Sequence, residues 1–197
     1  MDSPHRLILA STSRYRRELM ERLRLPFDVV APEVDETPLP GEQPATLARR
    51  LAREKAAAVA ARHPGAVVIG SDQVADLDGT ALGKPGDRVR AFEQLRAMRG
   101  RAVQFHTAVA VRCVARAVDI HELATVTVHV RDLDDAQIGR YLDLEQPYDC
   151  AGSAKAEALG IALLSRIDSD DPTALIGLPL MRTCALLREA GIDPLAA

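Results

Sequence analysis

The residues of this chain best suited to chemistry fall into a few short groups. Ser11, Thr12 and Ser13 run directly into Arg14, Tyr15, Arg16 and Arg17. Glu33, Asp35 and Glu36 crowd the stretch PEVDET, Asp72 and Gln73 follow VVIGS, and Lys84 sits in GKP. Lys55 joins them, and its type matters, because Lys55, Lys84 and Lys155 are the only lysines among 25 basic residues. Where arginine serves almost everywhere else, a retained lysine points to a compact ammonium suited to phosphate or proton chemistry.

Each group has a functional reading and a plain one. A strand leading through small hydroxyl residues into a helix offers free N–H groups and the positive end of the helix dipole to an anion. Arginines in that first turn oppose the dipole unless an anion is present; otherwise they cover a solvent face. No Gly-x-x-x-x-Gly-Lys occurs, which excludes an ordinary P-loop. The acids of PEVDET form either a solvated loop or a site for a hard cation. Asp72 ends an apolar strand, the edge where α/β sheets bind ligands, and can hold Mg²⁺, orient a water or simply cap a turn. Lys55 follows Leu47 and Leu51 at helical spacing, so its stem begins on an apolar face and its ammonium either snorkels or enters a site. Together the charges are complementary to a metal-bound polyphosphate.

A covalent nucleophile is not indicated, since no Ser-His or Cys-His pair suggests itself. His121 and His129 are too far apart on an extended run for a local metal pair, and His106 reads as structural or as a weak phosphate contact. Cys113 and Cys184 read as buried, while Cys150, in YDCAGS, is less easily assigned. Three widely spaced cysteines fit reduced thiols in a cytoplasmic protein better than a disulfide framework.

The elements that must position these residues alternate in type. RLILA reads as a buried strand, residues 14–24 as a helix, FDVVA as a second strand, and the proline- and acid-rich 31–46 as loop. A long helix begins at Pro44 or Thr46 and runs to about His63. AVVIGSDQVADLDG suggests a strand, a glycine turn and a second extended piece, with Asp78-Gly79 as a hairpin signal. A helix over 87–98 follows, then two β-branched runs, VQFHTAVAVRCV and HELATVTVHV, expected to pair as an antiparallel ribbon. Helices over 133–144 and 180–190 complete an α/β fold with a mixed sheet.

Length and composition set the frame: 197 residues, 47% hydrophobic and 27% charged, with net charge −3. This is a globular chain, expected to form a single domain over 1–197. It has no basic arm for nucleic acid, and no apolar run near the roughly 20 residues that span a membrane. Its start does not read as a signal peptide.

In order along the chain, LILASTS-x-x-RR, VDE, REKA, GSDQV, GKP, CAGS-x-K-x-E-x-x-GI and LIGLPL resemble the Maf family of nucleotide pyrophosphatases, over residues 6 to 190. The resemblance implies the fold shared by Maf and the inosine-triphosphate pyrophosphatases: an elongated mixed-sheet α/β structure of two lobes with a central cleft. It implies hydrolysis between the α- and β-phosphates of a nucleoside triphosphate, with Mg²⁺ or Mn²⁺ on Glu36 and Asp72. Asp72 would activate water, and Ser13, Arg16, Lys55 and Lys84 would bind the triphosphate. Members acting on dTTP and UTP usually read GADT and KAGAYGIQG; this chain reads GSDQ and CAGSAKAEALGI, similar to the branch acting on 7-methyl-GTP.

That branch marks Tyr15, Gln73 and Glu157 as the specificity positions. A cationic 7-methylguanine would favour an aromatic face and a carboxylate accepting from its N1–H and N2–H₂. The plain alternative is that Tyr15 packs on a neighbouring helix and Glu157 pairs with Lys155 or solvent. Other readings are a dTTP or UTP pyrophosphatase of the same family and a non-enzymatic nucleotide-binding regulator of septum formation. The expected partner is a small-molecule nucleotide, without nucleic acid or membrane, and a homodimer is compatible with the resemblance. Two departures stand out: Arg14 replaces a frequent proline, which would add a cation facing the phosphates, and Ala108 replaces the glycine of a frequent HTG, which would disturb a turn.

Overall fold

The computed structural model describes residues 6–196. Its strands are β1 (Leu7–Ala10), β2 (Asp28–Val30), β3 (Val67–Leu77), β4 (Thr80–Leu82), β5 (Ala102–Cys113), β6 (Val118–Val130) and β7 (Leu164–Asp168). Its helices are α1 (Arg14–Glu21), α2 (Pro44–Arg62), α3 (Arg88–Met98), α4 (Asp135–Glu145) and α5 (Leu180–Glu189).

One seven-stranded mixed sheet has the order β2-β1-β3-β5-β6-β7, with β4 paired to β3. The fully buried LILA of β1 lies parallel to both β2 and β3, and the chain crosses between them through α1 and α2. The two β-branched runs pair antiparallel along their whole length, from Ala102 opposite His129 to Cys113 opposite Val118. The mixed α/β architecture expected from the sequence is the one present.

Period-two alternation splits β3 between two environments. On one face, Val67 and Ile69 join a core with Leu9, Leu19, Val111 and Leu187, while Ala75 and Leu77 join another with Leu95, Phe105, Val126 and Leu142. Between these two apolar lobes the same face carries Ser71, Gln73 and, across the pair, Thr107. This polar strip is where the cleft forms.

The other face is covered by α2. Residue 70, expected at a turn, is in mid-strand, because β3 runs unbroken from Val67 to Leu77. Gly70 is required there for close approach: a Cβ would lie 2.3 Å from Ala52 O and 2.5 Å from Ala56 N. The fully buried Ala48, Ala52, Ala56 and Ala60 complete this tight helix–sheet contact. Asp78 and Gly79, with φ of 51° and 83°, make the expected hairpin between β3 and β4 and turn the chain back toward GKP.

Three further expectations need correction. Ala108 is not at a turn but in mid-β5, fully buried against the α2 side. The first helix ends at Glu21 rather than near residue 24, and Arg24 takes a left-handed φ of 56°. β7 was not expected; LSRID is a mostly exposed edge strand with no apolar alternation to signal it.

Candidate active site

All nine expected site residues line one cleft. Its larger part, about 350 Å³, is bounded by Ser13, Arg16, Glu36, Lys55, Asp72, Gln73 and Lys84. An adjoining part of about 160 Å³ shares Ser13, Arg16, Gln73 and Lys84 and adds Tyr15 and Glu157.

The larger end is organised around a buried ammonium. Asp72 projects from the α2-facing side of β3, and Lys55 reaches it from α2, with Nζ 2.7 Å from Asp72 Oδ1 and 2.7 Å from Glu36 Oε1. Lys55 and Asp72 are 4% and 6% exposed, so each needs the other to offset lost hydration. Lys55 therefore does not snorkel to solvent. Burial alone would push the Glu36 carboxyl up; the bond from Lys55 and the charges of Lys55, Lys84 and Arg16 outweigh it and hold the carboxyl below its ordinary value.

The three acids of PEVDET separate. Glu33 faces Arg62, which also donates to Ala31 O at 2.6 Å. Asp35 is used locally, accepting from Thr37 N. Only Glu36 enters the cleft. Its loop is tied to α2 by Arg50, which donates to Thr37 O and to both oxygens of Glu42. Glu42 in turn accepts from Leu39 N.

Glu36 and Asp72 supply hard oxygen donors beside the same ammonium, and no group of three or more metal-binding side chains occurs among the described residues. A two-carboxylate set fits Mg²⁺ or Mn²⁺ of the kind that takes its remaining ligands from substrate phosphate and water.

The opening arginines also diverge. Ser13 caps α1, its Oγ accepting from Arg16 N, and the Arg16 side chain turns into the cleft, where Nε donates to Gly177 O at 2.8 Å. Arg17 pairs with Glu21 on the outside. Arg14, expected to face the phosphates, instead lies over the Tyr15 ring and within 3.8 Å of Asp149. Exposed Lys84 borders both parts of the cleft from the GKP turn.

The polar strip of the sheet holds the far wall. Gln73 Nε2 donates to Thr107 Oγ1, Ala174 O and Leu175 O, and Ser71 Oγ donates to Gly177 O. The amide nitrogen of Gln73 is thus committed to the 174–177 segment, leaving Oε1 for a ligand. Asp171, fully buried, braces the same segment through Thr173 and caps α5 through Met181 N and Arg182 N.

At the smaller end Tyr15 is half-buried, and burial above all pushes its hydroxyl up to about 12, so it stays protonated near neutrality. It donates to Asp149 and accepts from Arg14. Partial desolvation pushes Glu157 above its ordinary value, with Glu145 and Asp149 adding to the effect. Burial likewise pushes the Cys150 thiol up to about 12, which removes it as a thiolate nucleophile. Cys113 is buried as expected, whereas Cys184 is only half-buried. His106 lies outside the cleft lining, between Asp76 and Thr125.

Asp149, Thr107 and Arg50 are site-shaping residues that sequence reasoning missed. Asp149 alone had a signal, its place beside Cys150 in YDCAGS.

The model of the family described as Maf-like protein matches residues 6–190. A 7-methyl-GTP pyrophosphatase of Polaromonas sp. is 63% identical over 94% of this chain and 85% of its own length. Proteins of the same name from Albidiferax ferrireducens and Bordetella pertussis are 61% and 60% identical, each over 98% of this chain and 96% of their own. Among solved structures, the Staphylococcus aureus Ham1 protein aligns with 64% of this chain and 72% of its own at 17% identity and a TM-score of 0.47. By the family match and these relatives, the chain belongs to the Maf-like proteins.

Proposed function

We propose that the chain is a nucleoside triphosphate pyrophosphatase that hydrolyses 7-methyl-GTP to 7-methyl-GMP and diphosphate, removing a modified nucleotide from the pool. The observation that carries the chemistry is Lys55 Nζ held 2.7 Å from both Asp72 and Glu36 in a cleft that also presents Arg16 and Lys84. The substrate comes from the relatives of that name at 60–63% identity.

In this reading water attacks the α-phosphorus, and the bond from that phosphorus to the oxygen bridging the β-phosphate breaks. Asp72 accepts the water's proton: Lys55 occupies Oδ1 and fixes the carboxylate, so Oδ2 is the oxygen available to water. Lys55, Lys84 and Arg16 offset the charge that grows on the departing diphosphate, and Ser13 with the start of α1 holds the phosphate chain. Glu36 and Asp72 would hold Mg²⁺ or Mn²⁺, which supplies charge neutralisation at the phosphate oxygens. Tyr15, Glu157 and Gln73 Oε1 meet the base.

No described helix is long and apolar enough to cross a membrane. A cytoplasmic location, a single domain and a homodimer belong to the same proposal, the last resting on family resemblance.

The test is diphosphate release by purified protein with Mg²⁺ or Mn²⁺, comparing 7-methyl-GTP with GTP, dTTP, UTP and CTP. Preference for 7-methyl-GTP supports the reading. Preference for dTTP or UTP keeps the chemistry and overturns the base assignment, and no release from any nucleotide overturns both.

A further inference from the structure

The base end of the cleft already contains a cation of the protein's own. The Arg14 guanidinium carbon lies 4.7 Å from the centroid of the Tyr15 ring. Its Nη2 donates to Tyr15 Oη at 2.7 Å and stands 3.8 Å from Asp149 Oδ2. Tyr15 Oη bonds the same Asp149 oxygen at 3.4 Å. All three residues line this part of the cleft, together with Glu157.

A planar, delocalised cation on an aromatic ring, with its N–H groups toward a carboxylate, has the recognition chemistry of a 7-methylguanine. The N1–H and N2–H₂ edge of that base is itself guanidine-like, and its ring carries the positive charge. We propose that Asp149 is a base-recognising carboxylate, and that in the free chain Arg14 keeps the place on Tyr15 and Asp149 that a cationic purine takes over when it binds. This rests on the function proposed above and deepens it, by naming the charged residues that select the base.

The surrounding charges favour such an exchange. Burial by itself would push the Asp149 carboxyl up, but bonds from Cys150 and its own amide, with Lys155 and Arg14 nearby, bring it below the ordinary value. Asp149 therefore meets the base ionised. Lys155, though 4.0 Å from Asp149, is engaged with Glu145 through both the backbone and side-chain oxygens of that residue. Arg14, whose side chain is 65% exposed, is therefore the loosely held counter-cation of Asp149. Release of Arg14 to water costs little because it is already largely hydrated. A cationic base replaces the charge that leaves; neutral guanine fits the same shape without replacing it, and the site discriminates on charge.

The experiment is calorimetric titration of the full chain with 7-methyl-GMP and with GMP, in wild type, Asp149→Asn, Asp149→Glu and Arg14→Gln. Wild type should prefer 7-methyl-GMP. Asp149→Asn should lose about three- to tenfold of that preference, which Asp149→Glu retains, and Arg14→Gln should tighten 7-methyl-GMP binding about two- to fivefold relative to GMP. Wild-type preference that survives unchanged in both Asp149→Asn and Arg14→Gln would overturn this inference alone. So would an Arg14→Gln variant that binds both nucleotides more weakly to the same degree, since Arg14 would then be a phosphate ligand. A wild type without preference would overturn the functional reading and the inference together.

Discussion

Lys55 and Asp72 meet at 2.7 Å through side chains that are each less than a tenth exposed, one from the long helix and one from the central strand. The contact is set by backbone packing two residues earlier, where Gly70 lets α2 settle directly on β3. Glu36 closes the arrangement from a loop on the other side of the same ammonium.

Asp72→Asn keeps the shape of the side chain and its contact with Lys55 but removes the base. Turnover of 7-methyl-GTP should fall by about 10² to 10⁴ while nucleotide affinity changes little, as read from kcat and from equilibrium binding. Equal losses in both would assign Asp72 to binding alone.

Lys55→Met leaves Asp72 buried without its partner. Stability should drop by about 3 kcal/mol, measured by denaturant unfolding, and a Lys55→Met, Asp72→Asn double variant should recover part of that loss.

Gly70→Ala adds one methyl group where backbone atoms of Ala52 and Ala56 already stand. Either α2 lifts or β3 bends, at a cost of about 1–3 kcal/mol. Because Lys55 rides on α2, kcat should fall along with the melting temperature. A variant with wild-type turnover would show that the helix can shift without moving its lysine.

Acid should loosen the loop that carries Glu36. The bond from Arg50, then that from Leu39 N, hold the Glu42 carboxyl down at about 2, against an ordinary value of 4.5. A carboxyl depressed on folding contributes stability that is complete above its unfolded pKa. As pH falls from about 4.5 toward 2, that contribution is lost. Melting temperature followed across this range should decline less steeply in Glu42→Gln than in wild type.

The legible parts of this molecule were those with local signals. LILA, the β-branched ribbon and the Asp78-Gly79 turn announce their conformations through apolar runs, β-branching and turn chemistry, and each is present as read. Gly70 misleads because a glycine required for helix approach looks, in one dimension, like a glycine required for a turn. Arg14 misleads for a related reason: three arginines near one helix start share a location but leave it in three directions, and Asp149, 135 positions away from Arg14, draws this one toward the smaller end of the cleft. The separation of the PEVDET acids depends in the same way on Arg50 and Arg62, whose reach from α2 is a tertiary fact.

Hydrolysis of 7-methyl-GTP in ¹⁸O-labelled water tests attack at the α-phosphorus most directly. The account predicts diphosphate free of label and a single ¹⁸O in 7-methyl-GMP, with both products lost in Asp72→Asn. Label in the diphosphate, or release of orthophosphate in its place, would contradict it.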